Sequence, residues 1–452
     1  MSAPGSEPEL RRAAALFGAG RLDEARAIAT AVAAREPRSF IAAYLLTAIA
    51  ARTQQWEDCV AFATRALDID PRHAEALANR GAALRMLGRH PEALADYDRA
   101  LALAPGVADI RNNRGVALAA LNRHAEAIAS YTAALAIKPG YDRARFNRAL
   151  SELVTGDFAA GWRDHESRWT GSEMHQGPRI LPGRAWDGRE DPRGKTLLLY
   201  AEQGLGDAIQ FARYATLAHR RGARVLLEVH APLKELLAQV EGVDAAFALG
   251  EPLPAFDLHC ALMSLPRAFD TRLDSIPAEV PYLEAPEAHA GRWRERLAAV
   301  ARPRVGLAWS GSRTLRNDAN RSLPLAMLAP LAGARRSLVA VQKEIRDADR
   351  AALRTLGIAA FEQELRDFRD TAALVAACDV IVSVDTSIAH LAGAMGKTVL
   401  VMLPFSPDWR WLLDRADSPW YPSARLFRQE RIGEWDAVVA RVAAALALPP
   451  VK

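Results

Sequence analysis

The chain has 452 residues, of which 50% are hydrophobic and 25% are charged, and this balance is typical of a globular protein rather than a disordered one. Its 58 Lys and Arg residues are nearly matched by 54 Asp and Glu residues. The formal net charge of +4 is small for this length, so nothing indicates binding to nucleic acid. A chain of this length predicts about two to four domains.

The cysteines and the N-terminus indicate the compartment. Cys59, Cys260 and Cys378 are far apart and form no CxxC pair, which is typical of a reducing cytosol and argues against a disulfide scaffold or a zinc site. The opening residues MSAPGSEPEL lack the basic and apolar regions of a secretory signal. No apolar run approaches the ~18–20 residues of a membrane helix. We therefore predict a soluble, cytoplasmic protein without an integral membrane segment.

A 34-residue repeat occupies the first part of the chain. Three series keep this spacing: Pro37, Pro71, Pro105 and Pro139; Ala25, Cys59, Ala93 and Ala127; and Val32, Ala66, Ala100 and Ala134. Small residues such as Gly81 allow two antiparallel helices to approach closely, and the closing proline ends the second helix of each pair. The pattern resembles the tetratricopeptide repeat. It predicts an all-α solenoid over residues 1–170.

This array should contain about four repeats and a degenerate capping unit at residues 146–169, in which Gly161, Trp162 and Trp169 depart from the pattern. A helical array can be purely architectural. Such arrays also commonly bind peptides in their concave groove, so we expect a protein or peptide partner there.

Alternating strands and helices follow a linker rich in Gly, Pro and charge at residues 171–195. Apolar runs predict strands within residues 196–201, 223–230 and 256–260, and then within 304–310, 337–342, 357–361, 379–384 and 397–403. This order predicts an α/β module of two Rossmann-like, doubly wound parallel sheets with a cleft between them. The predicted units are residues 196–285 and 303–452, joined by a hinge at 286–302.

The segment DTSIAHLAG, from Asp385, follows a predicted buried strand and opens a helix. Thr386 and Ser387 would present hydroxyl and backbone N–H groups at the helix N-terminus, where the helix dipole favours phosphate. His390, one turn further, would face the same site. The competing interpretation is an ordinary helix cap with a packed histidine.

The segment AEQGLGDAIQF, from Ala201, makes a similar turn from strand to helix. Gly204 and Gly206 permit a tight turn, and Asp207 at the start of the helix could accept a proton from a hydroxyl group. Here too a helix cap is the alternative. The spacing is not GxGxxG, so we do not predict a dinucleotide site.

Two further loops carry candidate ligand residues. In WSGSRTLRNDANRSLP, from Trp309, Ser310 and Arg321 could contact an anionic group. The loop at 403–429 is dense in aromatic residues that would either stack on a base or sugar or simply pack the loop. We also expect six residues to line the cleft: Gln203, Gly206, Asn317, Gln342, Asp370 and Trp409.

Together, these segments resemble glycosyltransferase family 9, the heptosyltransferase-like enzymes of the GT-B fold, over roughly residues 195–440. VSVDTSIAHLAGAMGK, from Val382, is similar to the family's D-T-G/S-x-x-H-L-A segment, and GLGD resembles its GD motif. The resemblance implies that Asp207 is the catalytic base. It also implies that six residues bind the donor diphosphate or nucleotide: Ser310, Arg321, Asp385, Thr386, Ser387 and His390.

The implied activity is metal-independent, inverting transfer from a nucleotide-diphosphate sugar, the co-substrate, to a saccharide, lipid-linked or protein acceptor. No cofactor and no metal ion are expected, since no DxD-type pair at a strand end and no HxxH spacing stands out as a metal site. Ser387 stands where many family members have Gly, and the DWRW segment is unusual for the family. Two alternatives remain open: an inactive repeat scaffold that only binds, and a nucleotide-sugar epimerase.

Overall fold

The computed structural model describes residues 5–172, 177–313, 317–333 and 335–447. Helices dominate the first part of the chain. In order they are α1 (Glu7–Gly18), α2 (Leu22–Arg35), α3 (Phe40–Arg52), α4 (Trp56–Ile69), α5 (Ala74–Met86), α6 (His90–Leu103), α7 (Ala108–Ala120), α8 (His124–Ile137), α9 (Asp142–Val154), α10 (Phe158–His165) and α11 (Arg168–Gly171).

Contacts within the chain divide it into two compact units. The first contains the described residues of Met1–Glu152 and Ser167–Gln176, and the second contains those of Leu153–Glu166 and Gly177–Lys452. Helix α10, which was expected in the capping unit of the repeats, therefore belongs to the second unit.

Consecutive helices pair in the first unit as the repeat predicts: α1 with α2, α3 with α4, α5 with α6, and α7 with α8. The small residues of the repeat lie where these helices touch. A Cβ atom added at Gly81 of α5 would lie 2.9 Å from Cε1 of Tyr97 in α6, and Gly115 of α7 is packed still more tightly against Tyr131 of α8. The glycines are thus required by close helix packing.

Arginines at the 34-residue spacing link neighbouring repeats. Arg80 donates to Asp96, 16 residues ahead, at 2.7 Å and to Thr64, 16 residues behind, at 3.2 Å. Arg114 repeats this geometry with Ser130 at 2.7 Å and Asp98 at 2.6 Å. Arg148 donates to Thr132 at 3.1 Å. We call Arg80, Arg114 and Arg148 the arginine ladder.

The first sheet of the second unit is entirely parallel, with the order β1-β5-β2-β3-β4. Its strands are β1 (Arg184–Ala185), β2 (Thr196–Tyr200), β3 (Arg224–Val229), β4 (Ala245–Ala248) and β5 (Leu258–Ala261). The helices α12 (Leu205–Phe211), α13 (Tyr214–Arg220), α14 (Lys234–Leu237) and α15 (Leu265–Ala268) accompany it. Leu197, Leu198 and Leu199 of the central strand are fully buried, as a parallel sheet covered on both faces requires.

The second sheet is also parallel, with the order β11-β10-β9-β6-β7-β8. Its strands are β6 (Arg304–Ala308), β7 (Ser337–Ala340), β8 (Ala359–Ala360), β9 (Val380–Val384), β10 (Val399–Leu403) and β11 (Ala424–Arg428). Its helices are α16 (Glu287–Arg296), α17 (Asp318–Arg321), α18 (Arg350–Thr355), α19 (Phe368–Ala377), α20 (Ser387–Ala394) and α21 (Trp435–Ala447). Short 3₁₀ turns occur at Ala231–Leu233, Leu262–Ser264, Leu273–Ser275, Leu325–Leu331, Asp347–Asp349 and Trp409–Trp411.

Two segments expected to connect domains contribute to packing instead. The predicted linker contains β1, which pairs with β5, and Trp186, which is 3% exposed. The predicted hinge contains α16, whose Trp293 is 1% exposed. In each case a buried tryptophan fixes a stretch whose Gly, Pro or charge content suggested a connection.

Candidate functional site

The two strand-to-helix segments singled out from the sequence meet in the second unit. Helix α12 follows β2 of the first sheet, α20 follows β9 of the second, and the two helices pack against each other. Gly206 makes this contact possible, since a Cβ atom there would lie 2.9 Å from Cδ2 of His390 and 3.5 Å from Cα of Ser387. The carboxyl ends of two parallel sheets, where α/β proteins bind ligands, therefore lie side by side.

Both carboxylate oxygens of Asp207 accept hydrogen bonds. Oδ2 accepts the backbone N–H of Gly204 at 2.8 Å, which caps α12, and Oδ1 accepts Nη2 of Arg410. Asp207 thus serves as the helix cap of the alternative interpretation and as an ion-pair partner as well.

Arg410 lies in the 3₁₀ turn Trp409–Trp411, and its side chain is 8% exposed. It donates from Nε to Gln210 Oε1 at 2.6 Å and from Nη1 to Asp408 Oδ1 at 2.8 Å. Burial alone would lower the pKa of Arg410, but the charges of Asp408 and Asp207 raise it overall, so this arginine is firmly cationic. We call Asp207, Asp385, Asp408 and Arg410 the arginine–carboxylate cluster.

Asp385 immediately follows β9, and its side chain is 13% exposed. Burial, and then repulsion from Asp408, raises the pKa of Asp385 to about 6, although Arg321 and Arg410 oppose the shift. Arg321 donates from Nη1 to the backbone carbonyl of Asp385 at 2.7 Å. The loop after β6 is thereby tied to the end of β9.

His390 is buried in an aromatic environment. Its Nδ1 lies 3.0 Å from the hydroxyl of Tyr421, and its ring stacks on Trp411 with centroids 5.5 Å apart. Burial, followed by the charges of Arg410 and other arginines, holds the pKa of His390 well below its usual range. The 3.9 Å approach of its Nε2 to Asp385 is therefore not an ion pair, because the imidazole is neutral.

Thr386 and Ser387 begin helix α20. The Thr386 hydroxyl accepts the backbone N–H of Ile388 at 3.3 Å, so Thr386 is the N-cap that the sequence allowed as an alternative. Ser387 is half-buried, with its Cα facing Gly206.

Ser310 and Gln342 come together at the ends of β6 and β7. Gln342 Oε1 accepts the backbone N–H groups of Trp309 at 2.8 Å and Ser310 at 3.3 Å, and its Nε2 donates to Ser310 Oγ at 3.0 Å. Arg321 packs beside Gly311 in the same loop.

Other predicted cleft residues have different surroundings. Asp370, in α19, is buried, pairs with Arg292 of α16 and accepts the backbone N–H of Arg366 at 3.0 Å. Asn317 is exposed at the start of α17, and Gln203 is half-buried in the loop before α12.

Trp409 is 4% exposed and packs against four aromatic rings rather than facing an open site. Those rings belong to Trp162, His165, Phe211 and Trp420. Of the two interpretations of the aromatic loop, packing therefore holds for Trp409.

Sequence reasoning missed Arg410, Asp408 and Gln210. One signal was available: Arg410 stands between two tryptophans, two residues after an aspartate, in a segment otherwise suited to burial. A buried arginine requires anionic or acceptor partners, which indicates a polar cluster.

Neither a metal cluster nor a membrane span is found in the described part of the chain. Within residues 5–172, 177–313, 317–333 and 335–447, no group of three or more His, Cys, Asp or Glu side chains is arranged to hold a metal ion. None of the described helices is long and apolar enough to cross a bilayer.

The first unit carries tetratricopeptide repeats. Sequence profiles of this repeat match residues 62–95 and 88–142, the region in which α4 to α8 form the helix pairs.

A curated relative is similar over a longer region. Protein FlbA of Caulobacter vibrioides is 30% identical to this chain over an alignment of 321 residues, and the match covers 65% of this chain and 53% of FlbA. The chain thus spans about half the length of this relative. The matched region is longer than the first unit, so the similarity extends into the second.

Solved structures resemble part of the chain. YrrB, described as a tetratricopeptide repeat protein with an unusual peptide-binding site, is 18% identical, with a TM-score of 0.35 over 37% of this chain and 88% of YrrB. MamA from Desulfovibrio magneticus RS-1 is 16% identical, with a TM-score of 0.35 over 39% of this chain and 97% of the MamA chain.

Proposed function

We propose that the second unit transfers a sugar from a nucleoside diphosphate to an acceptor hydroxyl group, without a metal ion and with inversion at the anomeric carbon. The observation that carries the proposal is the contact between Gly206 and His390. It joins the segment that resembles the acceptor side of family 9 to the segment that resembles its donor side. In a transferase the catalytic base and the donor site must lie close enough for the acceptor oxygen to reach the anomeric carbon. Two ordinary helix caps would have no need to lie next to each other.

Two arginines would supply positive charge to a diphosphate, next to the three carboxylates of the arginine–carboxylate cluster. Arg321 and Arg410 both reach the end of β9, where α20 begins. Among the described residues, the buried Nε2 of Gln210 has no hydrogen-bond partner, and the buried Nε of Arg321 has only a 3.6 Å ion-pair contact with Oδ1 of Asp318. An N–H donor without an acceptor beside two guanidinium groups favours a ligand rich in acceptor oxygens.

In the proposed reaction, arginine rather than histidine supplies the positive charge that stabilises the departing diphosphate. His390 is neutral, so it can donate one hydrogen bond but adds no positive charge. Asp207 would take the acceptor's proton as the acceptor oxygen bonds to the anomeric carbon. The bond from that carbon to the diphosphate oxygen breaks, and Arg321, Arg410 and the N-terminus of α20 stabilise the departing charge.

The repeats would recruit the macromolecule that supplies the acceptor hydroxyl, or a partner protein that delivers it. Tetratricopeptide arrays commonly present a peptide-binding surface, and here such an array is fused to the unit that carries the candidate site. A small-molecule epimerase would have less use for it.

The test uses the full chain with ADP-, GDP- and UDP-sugars, each with and without EDTA. Release of nucleoside diphosphate is measured together with transfer of label from the donor sugar to added protein or glycan fractions. We expect one nucleotide class to be turned over in EDTA. Asp207→Asn should lower the rate by roughly 10²- to 10⁴-fold, the usual contribution of a general base.

Asp417→Asn is the matched control, because Asp417 also pairs with an arginine of this unit but is largely exposed. Its rate should stay within about twofold of the wild type. Nucleotide binding without release would favour the inactive scaffold, and sugar interconversion without an acceptor would favour the epimerase. Either result would refute the transfer proposed here.

A further inference from the structure

Every nitrogen of the Arg410 guanidinium has a protein partner. Nε donates to Gln210, Nη1 to Asp408 and Nη2 to Asp207. Asp408 belongs to the same loop, only two residues away, whereas Asp207 belongs to the other sheet's strand-end segment. Arg410 is therefore anchored locally by one carboxylate and bound across the site by another.

Both oxygens of Asp207 have a partner in this arrangement. Oδ2 accepts from Gly204 and Oδ1 from Arg410, so each oxygen keeps one further lone pair. A general base needs a lone pair directed at the acceptor's hydroxyl group. Release of the contact with Arg410 would therefore open a second direction of approach to Oδ1.

A diphosphate is a suitable competitor for Nη2. It carries more negative charge than a carboxylate, and its oxygens accept charge-assisted hydrogen bonds from guanidinium N–H groups. The exchange requires little movement of the arginine, because the bonds from Nη1 to Asp408 and from Nε to Gln210 can persist.

Building on the sugar transfer proposed above, we propose that Arg410 exchanges partners when the donor binds. In the unliganded protein Nη2 of Arg410 donates a hydrogen bond to Asp207 Oδ1. In the donor complex Nη2 donates to the diphosphate instead, and Asp207 Oδ1 no longer has the arginine as a partner. The proton of the acceptor hydroxyl then moves to Oδ1, the acceptor oxygen bonds to the anomeric carbon, and the diphosphate leaves with the electron pair of the broken bond. The exchange would thus make Oδ1 of the base more accessible when the donor is bound.

The experiment is calorimetric titration with ADP, GDP, UDP and CDP in EDTA, using the full chain. Asp207→Asn keeps an oxygen for the N–H of Gly204 but removes the charge that competes for Arg410. We expect this variant to bind the preferred nucleotide about three- to tenfold more tightly, the effect of freeing one charged hydrogen bond, while its turnover falls. Tighter binding together with lost turnover is the signature of the exchange.

Arg410→Gln should weaken nucleotide binding by at least about tenfold. In this background, Asp207→Asn should no longer tighten it. Arg415→Gln is the matched control, since Arg415 lies in the same loop and pairs with the exposed Asp417; its affinity should stay within about twofold of the wild type. Circular dichroism checks that each variant is folded, and the Asp207→Asn result stands even if Arg410→Gln does not fold.

The two proposals fail in different ways. Unchanged or weaker binding by Asp207→Asn would overturn the partner exchange, and it would leave sugar transfer intact if that variant lost turnover. A wild-type protein that binds none of the four nucleotides would overturn both.

Discussion

Asp385 places an acid group where few water molecules can reach it. Its pKa of about 6 lies above the ordinary value of 3.8, mainly because of burial. Between these two pH values the folded protein holds a proton that the unfolded chain has released. The free energy of unfolding should therefore fall as the pH rises from about 4 to about 6, by roughly 3 kcal/mol at most.

Replacing Asp385 by asparagine tests whether its buried carboxyl group causes this pH dependence of the free energy of unfolding. Asp385→Asn should raise the free energy of unfolding of the second unit by about 1–3 kcal/mol at pH 7.5, because the buried charge is removed. The gain should almost vanish at pH 4, where the wild-type carboxyl group is also neutral. Denaturant titrations at the two pH values measure the difference, and Asp417→Asn, in an exposed pair, should change neither by more than about 0.5 kcal/mol. An equal gain at both pH values would contradict the role of the buried charge.

For individual residues, the sequence predicts which side chains lie at the strand-to-helix turns, but it does not predict which side chains they contact. Asp207, Asp385 and His390 follow recognisable strand-to-helix patterns, and they do lie next to such turns in the structure. Arg410 follows no strand-to-helix pattern, and its flanking tryptophans suggest burial without naming a partner; it reaches Asp207 across 203 residues of sequence. Such a contact depends on the packing of two sheets, which no local spacing encodes.

The helix pairs of the repeats depend on glycine for a steric reason. A Cβ atom at Gly115 would overlap the ring of Tyr131, while Gly18, at the exposed end of α1, has no atom within 4 Å of such a position. The same substitution should therefore have opposite effects at the two sites.

We expect Gly115→Ala to destabilise the first unit by about 1–2 kcal/mol, since overpacking outweighs the better helix propensity of alanine. Gly18→Ala should be neutral or stabilise it by up to about 1 kcal/mol. Thermal unfolding followed at 222 nm distinguishes the two variants. If both stabilised the protein, the contact between Gly115 and Tyr131 would not be sterically limiting.

The eight predicted strands correspond to β2, β3 and β5 to β10. Three strands were missed, each for a local reason. β1 has only two residues, β4 reads AAFA with low β propensity, and β11 reads ARLFR, in which two arginines leave only a short apolar run. All three are edge strands, whose pairing is set by the neighbouring strand more than by their own sequence.

The whole molecule consists of two units with separate cores. Clusters built around leucine and alanine fill the repeats, and a larger cluster around Trp309 and Trp435 lies in the second sheet. We expect each unit to unfold in a cooperative transition of its own, because each has its own core cluster.

Scanning calorimetry of the full chain should accordingly show two transitions. Saturation with the preferred nucleoside diphosphate, at about 100 times its dissociation constant, should raise only the transition of the second unit, by several degrees. Gly115→Ala should lower only the transition temperature of the first unit, and this shift identifies which transition belongs to that unit. A single transition that responds to both changes would show that the units unfold together.

The arginine ladder has a consequence for how repeats can be gained or lost during evolution. Each rung reaches 16 residues forward or back, and the residues it meets, Thr64, Asp98 and Thr132, recur every 34 residues. All three present an acceptor oxygen in the same place. Removing or duplicating one complete 34-residue period would therefore place two different repeats next to each other, and the arginine of one would still find an acceptor oxygen in the other. The reach of the array can be lengthened or shortened in whole steps, while the chemistry of the other unit stays as it is.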